Sequence, residues 1–336
     1  MGRSGWGRLL LGGFVAAAAL WAALRGVSLD ALASSLGRAD PRWIAVAVAL
    51  SLVIMVLRAW RWQLELRPLE RIPLGRLWAI TAIGYMCINV LPVRLGEVVR
   101  PWLLSRRSQV AFANVVGNLV LEKTLDSIAI SFYMLGGLLA VDRLPLWVRR
   151  GAIAPAFIAV LMMGLVALLW LRGESFLDGG VMARLPERLG RGLRRALLAV
   201  RDGMSVLPDR RLFAAVFLLT VALWSVPILS SWVVIRAFHF PVPFGAAVVV
   251  FIFIGFGTAL PNAPGMVGVF QYACVLALGL FGVERADAFA YGVVLNAIQL
   301  VTLIGQGLFA LAISGVGLSE IRGAAAVPSA TQAGSG

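Results

Sequence analysis

The sequence predicts an all-α polytopic membrane protein with about eight spans. It also predicts two helix pairs that are broken or re-entrant. Apolar residues make up 60% of the 336 residues, and charged residues make up only 14%. The mean hydropathy is +0.91, which excludes an ordinary soluble domain. Several apolar stretches also reach the roughly 20 residues that a helix needs to cross the hydrocarbon of a bilayer.

Charged and proline-containing connections divide the apolar sequence into its elements. We expect one membrane domain over residues 1–322 and a disordered tail over residues 323–336, which is rich in Ala, Ser and Gly. Two apolar regions, 77–104 and 244–281, are interrupted by Pro and Gly. The other predicted spans are, in chain order, 9–24, 43–57, 110–141, 151–171, 212–237 and 288–313.

Both interrupted regions contain the pattern Leu-Pro-x-x-x-Gly, at Leu91–Gly96 and again at Leu260–Gly265. Hydrophobic segments that Gly and Pro interrupt in corresponding halves of a chain point to the binding site of a transporter. We therefore predict inverted repeats whose breaks meet near the midplane, with a plain helix kink as the alternative for the second break. The residues expected to shape the breaks are Pro92, Gly96, Pro261, Pro264, Gly265 and Gly268.

The net charge of +14 comes from arginines that lie between the apolar runs. Cytoplasmic loops beside anionic lipid have this distribution, so we expect a membrane surface rather than nucleic acid as the partner. If both termini lie in the cytoplasm of a bacterial cell, three basic loops all fall on the cytoplasmic side of the cell membrane: 58–76, 106–109 and 172–211. The segment from Arg58 to Trp62 mixes Trp and Arg, and we expect it to end the second span at the membrane boundary.

An amphipathic stretch over residues 184–207 lies in the longest loop. Its apolar residues recur at three- and four-residue spacing, while arginines occupy the opposite face. We expect a helix that lies on the inner leaflet, with a binding partner as the alternative. The apolar residues are Leu189, Leu193, Leu197, Val200, Met204 and Leu207.

Ionisable residues follow the first break at a regular spacing. Arg94, Glu97 and Arg100 are three residues apart, so Glu97 and Arg100 share a face if the chain after Gly96 is helical. Unpaired charges at the bilayer centre are costly and usually face a cavity. Arginine offers a planar fork of donors that suits the phosphate of a lipid headgroup. The alternatives are an Arg–Glu pair that only pins the turn, or a motif at the interface.

A polar stripe runs along the long helix that is predicted after the first interrupted region. It includes two carboxylates one turn apart, which could relay protons or cations. Lys123 can reach Asp126 across three residues, so internal neutralisation by Lys123 or Arg94 is the alternative. The stripe consists of Asn114, Asn118, Glu122 and Asp126.

Neutral donors follow the second break instead of charges. Asn262 and Gln271, together with the amides of a new helix N-terminus, could hold an anion. A milder polar stripe lies near the C-terminus, where uncharged side chains more often form interhelical hydrogen bonds than a substrate path. This C-terminal stripe consists of Asn296, Gln299, Thr302 and Gln306.

Three segments carry a family resemblance: Leu91-Pro92-x-Arg94-x-Gly96-Glu97-x-x-Arg100, Glu122-Lys123-x-x-Asp126 and Pro261-x-x-Pro264-Gly265-x-x-Gly268. In these segments the chain resembles the lysylphosphatidylglycerol synthase transmembrane-region family, also called the UPF0104 flippase-like membrane proteins. The resemblance implies re-entrant helices and movement of lipids such as aminoacylated phosphatidylglycerol between leaflets. We expect a stand-alone member without the aminoacyl-transferase domain of bifunctional relatives. Lys123 and Gln271 stand where the family often has Arg and an acidic residue, respectively. The resemblance therefore does not identify the lipid headgroup.

These patterns predict a flippase or transporter that moves a phospholipid or glycolipid, with an anionic or aminoacylated headgroup, through a polar midplane cavity. One alternative is a non-catalytic partner subunit of a lipid or envelope biosynthesis system. The other is an intramembrane lipid-modifying enzyme with Glu97 or Asp126 as general base. The predicted substrate-binding residues are Arg94, Glu97, Arg100, Asn118, Glu122, Lys123, Asp126, Asn262 and Gln271.

Catalytic and metal-binding motifs do not occur in the sequence, so we assign no catalytic residue, no metal and no cofactor. The expected partners are membrane lipids, both the anionic inner leaflet and the lipid substrate. A second copy of the chain or a protein of lipid biosynthesis is also compatible with the sequence.

Overall fold

A computed structural model describes residues 3–90, 96–140, 145–151, 153–178, 194, 198–259, 263–317 and 320. The secondary structure in these residues is helical throughout and includes no strand. The helices are α1 (Arg3–Leu24), α2 (Leu29–Gly37), α3 (Pro41–Leu66), α4 (Leu74–Val90), α5 (Gly96–Arg107), α6 (Phe112–Ala140), α7 (Leu146–Gly151), α8 (Ile153–Asp178), α9 (Arg210–Ala237), α10 (Gly245–Ala259), a 3₁₀ turn (Pro264–Met266), α11 (Val269–Gly279) and α12 (Arg285–Ser314).

The apolar helices confirm a multi-pass, all-α membrane protein. Within the described residues, four segments are long and apolar enough to cross a membrane: Pro41–Leu66, Val148–Leu168, Arg210–Ala237 and Arg285–Ser314. Helix α6 is also long, with 29 residues, but it carries two carboxylates and a lysine near its middle. Shorter apolar helices cover Gly13–Leu24, Leu74–Val90, Gly245–Thr258 and Pro264–Gly279. The number of spans and the re-entrant pairs stay predictions.

Contacts between helix termini define one end of the bundle, which we call the first end. The N–H of Gln109 donates to Glu70 Oε2 at 2.7 Å, and Arg76 Nη1 donates to the carbonyl oxygen of Arg107 at 3.4 Å. Arg107 Nη1 also donates to the carbonyl oxygen of Ser314 at 2.7 Å. The ends of α3, α5 and α12 and the start of α4 therefore lie together. A hydrogen bond from Arg107 lowers the pKa of Glu320 at this end.

The opposite end of the bundle, the second end, joins the other termini. Arg38, just after α2, forms an ion pair with Asp287 in the first turn of α12. The N–H of Asp40 donates to the carbonyl oxygen of Ala237, the last residue of α9, at 2.9 Å. Arg285 donates to the carbonyl oxygens of Ala22 and Ala23 near the end of α1. Short connections then place the start of α10 and the end of α11 at this second end.

The second break has the tight backbone that its glycines predict. Gly265 has φ +70° and Gly268 has φ +87°, in the left-handed region that a residue without Cβ adopts readily. A Cβ on Gly268 would lie 2.2 Å from the carbonyl oxygen of Ala16, so α1 crosses the start of α11 at backbone contact. The backbone therefore turns at these two glycines.

The described part of the predicted amphipathic stretch packs against the protein. Of residues 184–207, the structure describes residues 194 and 198–207. Met204 and Val206 are fully buried in a cluster with apolar residues of α6, α8 and α9, so their side chains contact helices rather than lipid. Glycines permit this approach: a Cβ on Gly117 of α6 would lie 2.0 Å from the carbonyl oxygen of Val200. Small residues at such contacts are typical of helix packing in membranes.

We expect Gly117→Ala to lower the melting temperature of the purified protein, because the added methyl must displace backbone. Overpacking of this kind costs about 1–3 kcal/mol or more. Gly136→Ala in the same helix is the matched control, since a Cβ there meets nothing within 4 Å. A thiol-reactive fluorophore can report unfolding, because Cys87 and Cys274 are both buried. Equal melting temperatures for the two variants would contradict the close crossing.

Candidate functional site

Helix α3 does not end at the Trp and Arg segment, which corrects the prediction from the sequence. It continues to Leu66 and carries three large polar or charged residues into the bundle. Arg61 is 2% exposed, and Trp62 and Glu65 are fully buried. The helix continues because helices α5, α6 and α9 supply partners for these side chains. Their polar groups therefore do not need the water of a membrane boundary. Charged residues inside a membrane bundle are expected to pair in this way.

Five ionisable side chains form what we call the ion cluster: Arg61, Glu65, Arg100, Glu122 and Asp126. Arg61 lies at its centre, with Nη1 at 2.5 Å from Asp126 Oδ1 and Nη2 at 3.2 Å from Glu122 Oε1. Its Nε lies 3.5 Å from Glu65 Oε1. Arg100 Nη1 donates to Glu122 Oε1 at 2.9 Å. The cluster therefore ties α3, α5 and α6 together by charge.

Aromatic and polar side chains enclose the ion cluster. The guanidinium of Arg100 lies over the ring of Trp62, 3.9 Å from its centroid, in a cation–π contact. Trp62 Nε1 donates to Asn118 Oδ1 at 2.9 Å. Trp224 Nε1 of α9 donates to Asp126 Oδ1, also at 2.9 Å. The cluster is thus closed from water by packed side chains and joined to α9 as well.

The structure brings together four of the residues predicted from the sequence. Arg100, Asn118, Glu122 and Asp126 are all buried, and the carboxylates are neutralised by Arg61 and Arg100. This arrangement corresponds to internal neutralisation, with Arg61 and Arg100 as the partners that the described residues supply.

Other predicted residues lie elsewhere or outside the described residues. Lys123 is exposed, because it lies about 100° around α6 from the buried Glu122. Glu97 lies in the first turn of α5 and its side chain is exposed. Gly96 begins that helix. The residues outside the described part are Pro92, Arg94, Pro261 and Asn262.

Gln271 acts as a helix cap. Its Oε1 accepts the N–H of Gly268 at 2.7 Å, at the start of α11. This bond satisfies the backbone amide of Gly268, and the predicted role of Gln271 as a donor to an anion stays a prediction. Pro264 begins the 3₁₀ turn that precedes this cap. We assign both residues to the shape of the break.

A cavity of about 340 Å³ lies among the helices of the bundle, and we call it the central cavity. Asn89, near the end of α4, and Gly265, in the 3₁₀ turn, both line it. Its other described walls come from α3, α6, α9, α10, α11 and α12. Ligand pockets of about 300–1,000 Å³ are typical of small-molecule sites. None of the predicted substrate-binding residues is among the described residues of its lining.

The C-terminal polar stripe lines the central cavity and also joins helices. Asn296 Nδ2 donates to the carbonyl oxygen of Gly265 at 3.1 Å, which holds the 3₁₀ turn against α12. Gln306 Nε2 donates to the carbonyl oxygen of Ser51 at 3.5 Å, between α12 and α3. All four residues of this stripe line the cavity. The two interpretations drawn from the sequence are therefore compatible.

Arg58 is the charged residue among the described lining of the central cavity. Its guanidinium lies over the ring of Tyr85 at 3.9 Å from the centroid. No carboxylate occurs among the lining residues that the structure describes. Trp224 lines the same cavity and donates to Asp126, so one wall of the cavity rests on the ion cluster.

The spacing of Arg58, Arg61 and Glu65 is a signal in the sequence for a shared helix face. Residues three and four apart share one face of a helix, so this spacing places all three along one side of α3. An Arg–Trp mixture at a membrane boundary has the same composition. A buried charged face and a membrane boundary are distinguished only by the partners on α6 and α9, which are distant in sequence.

Comparison with known proteins gives a family and two relatives. The family model described as "Lysylphosphatidylglycerol synthase TM region" matches residues 9–307. A protein named "UPF0104 membrane protein" from Methanothermobacter thermautotrophicus is 24% identical over 304 residues, which cover 85% of this chain and 89% of the relative. A protein named "Glycosyltransferase AglD" from Haloferax volcanii is 28% identical over 306 residues. That match covers 81% of this chain but only 49% of the relative.

We expect Arg100→Met to destabilise the protein strongly, because Glu122 would keep its buried charge with one partner fewer. Breaking a buried ion pair on one side costs about 3–5 kcal/mol. Arg100→Met combined with Glu122→Leu removes one charge of each sign, so the double variant should lose about 1–3 kcal/mol less than the two single variants together. Melting in detergent, followed by exposure of the buried cysteines, measures all three variants.

A pair at the protein surface provides the control for this cycle. Arg38 is 62% exposed on its side chain and pairs with Asp287. Substituting Arg38→Met should change stability by no more than about 1 kcal/mol, because its guanidinium is largely in solvent. Additive losses at Arg100 and Glu122 would contradict the coupling that the ion cluster implies.

Proposed function

The chain belongs to the lysylphosphatidylglycerol synthase TM region family, and from that premise we propose that it moves a phospholipid or glycolipid between membrane leaflets. The headgroup enters the central cavity while the acyl chains stay in the surrounding lipid. The observation that carries this proposal is a cavity that both Asn89, near the end of α4, and Gly265, in the 3₁₀ turn, line. Irregular backbone at membrane depth is tolerated where protein buries it or where it lines a cavity.

The dimensions of the cavity suit a headgroup. A volume of 340 Å³ is in the range of small-molecule sites and can hold a phosphate with a glycerol or one sugar. Large apolar side chains on the outer faces of the helices, such as Phe132 and Val301, are more than half exposed and would contact the acyl chains. The polar headgroup would thus lie in the cavity, and the acyl chains would lie against the apolar outer faces of the helices.

We infer that α4 with α5, and α10 with α11, are re-entrant pairs from opposite faces. Arg76 at the start of α4 contacts Arg107 at the end of α5, at the first end of the bundle. Helices α10 and α11 connect to their neighbours at the second end. The arginines beside the first end favour the cytoplasmic face for it, with both termini on that side. This arrangement corresponds to the inverted repeats of a transporter.

The ion cluster has a supporting role in this proposal. It fixes α3, α6 and α9 relative to one another, and these helices form walls of the central cavity. Asp126 accepts hydrogen bonds from both Arg61 and Trp224, so nothing in its surroundings favours it as a general base. The predicted roles of Arg94 and Glu97 in binding the headgroup stay predictions.

A second candidate function is a membrane module that serves a separate enzyme of lipid or envelope biosynthesis. The relative named as a glycosyltransferase supports it, because this chain matches about half of that protein. Under this alternative the chain would copurify with one stable enzyme partner, and purified chain alone would leave lipid exchange between leaflets unchanged. Transport by the chain alone would favour the first proposal.

We expect Gly255→Phe to stop lipid movement without unfolding the protein. Gly255 lines the central cavity, and a Cβ there would approach only Met134 Cε, at 3.8 Å, so a larger side chain extends into the space. Purified protein in vesicles that contain a fluorescent phospholipid measures the effect, since an impermeant quencher reports how fast inner-leaflet lipid appears outside. The rate for Gly255→Phe should fall to that of vesicles without protein.

Gly255→Ala is the matched control, because its methyl fits and leaves most of the cavity open. It should keep the transport rate and the melting temperature of the unsubstituted chain. If Gly255→Phe moved lipid as fast as Gly255→Ala, that result would contradict the proposal that the headgroup passes through this cavity.

A further inference from the structure

We infer that the central cavity binds the phosphate of a lipid whose headgroup has a net negative charge, through Arg58, and that it discriminates against positively charged headgroups. This inference rests on the proposed function and names the substrate class of the same cavity. The residue types of the lining carry it: one guanidinium, several neutral donors and no carboxylate among the described residues.

The charge of the cavity is positive because its cation lacks a counter-ion. Within the described part of the chain, Arg58 forms no ion pair, whereas Arg61 and Arg100 each contact at least one carboxylate. The two segments next to the breaks that the structure does not describe, 91–95 and 260–262, contain Arg94 and no carboxylate in their sequence. An uncompensated cation at membrane depth is costly, so it is expected to meet an anion.

Arg58 and Arg61 differ in availability although they are only three residues apart on α3. The guanidinium of Arg61 contacts three carboxylates, is 2% exposed and does not line the cavity, so its charge is already paired. Arg58 faces the cavity and makes none of these contacts. One turn of helix therefore separates an arginine that stabilises the fold from an arginine that can bind a substrate.

The contact with Tyr85 orients Arg58 without consuming its donors. An aromatic ring packs against the face of the guanidinium, 3.9 Å from its carbon, and the N–H groups lie in the plane at its edge. That edge is the fork that accepts two oxygens of a phosphate in parallel hydrogen bonds. A pre-oriented guanidinium also loses less side-chain freedom on binding.

Neutral groups in the cavity fit the rest of such a headgroup. Ser230 Oγ is buried without a hydrogen-bond partner among the described residues, and it lines the cavity. Gln299 lines it as well, and no described residue bonds its side-chain amide. Hydroxyls of glycerol or a sugar would satisfy both groups. A lysyl headgroup would instead bring an ammonium beside Arg58 and find no carboxylate.

Binding is tested on the full chain in detergent with four short probes. Dioctanoyl phosphatidylglycerol has a phosphate and acyl chains, its lysyl ester has a net positive charge, octyl glucoside has no phosphate, and glycerol 3-phosphate has no acyl chains. We expect dioctanoyl phosphatidylglycerol to raise the melting temperature most. Arg58→Gln should weaken its binding about tenfold or more, because a charged hydrogen bond is lost. Arg58→Lys should retain part of the affinity.

Arg67→Gln provides the matched control at the end of the same helix, where the side chain is exposed and outside the cavity. It should bind all four probes as the unsubstituted chain does. Equal affinity for the lysyl ester, or no loss in Arg58→Gln while its melting temperature without probe is unchanged, would overturn the inference. Glycerol 3-phosphate binding as tightly as the lipid would assign the site to free phosphate and overturn it as well.

Transport measurements separate this inference from the proposed function. If the unsubstituted chain binds phosphatidylglycerol through Arg58 but moves no lipid in vesicles, the proposed function fails and the phosphate site stands. If the chain moves phosphatidylglycerol and its lysyl ester equally fast, and Arg58→Gln moves both at that same rate, the phosphate site fails and the proposed function stands.

Discussion

The requirement that buried charge be neutralised inside the bundle governs this structure. Arg61 meets that requirement by contacting carboxylates from its own helix and from α6, with Nη1 at 2.5 Å from Asp126. An isolated charge at this depth would cost several kcal/mol, so α3 and α6 are held in one register. Trp224 extends the constraint to α9 through its bond to the same carboxylate. The helices that enclose the central cavity are therefore positioned by charge pairing as well as by packing.

This constraint divides the charged residues into two groups with different roles. Residues of the ion cluster contact one another, and none of them lines the central cavity in the described part of the chain. Arg58 belongs to the same helix but faces the cavity and contacts Tyr85 instead of a carboxylate. The division explains how a membrane protein can keep a rigid charged core beside a site that must exchange its ligand. The paired charges stabilise the bundle, whereas the cation without an ion pair is available to a ligand.

The sequence predicted features that depend on local chemistry. Proline and glycine at the second break required a tight turn, and Gly265 and Gly268 adopt it. The ends of most long helices also followed from their charged connections. The partners of Arg61 did not follow, because they lie 61 and 65 residues later, and an Arg–Trp pair also marks a membrane boundary. The cavity likewise depends on how eight elements assemble, so its lining could be anticipated only for the polar stripe of α12.

Covalent capture of a headgroup tests the central claim most directly. Gly255→Cys would place a thiol in the central cavity, while Gly136→Cys would place one on the exposed side of α6. The chain is incubated in vesicles with a phospholipid that carries a maleimide on its headgroup, and intact mass reports the adduct above the labelling of the unsubstituted chain. The account predicts an adduct at position 255 and little at position 136. An adduct at 136 with none at 255 would contradict it.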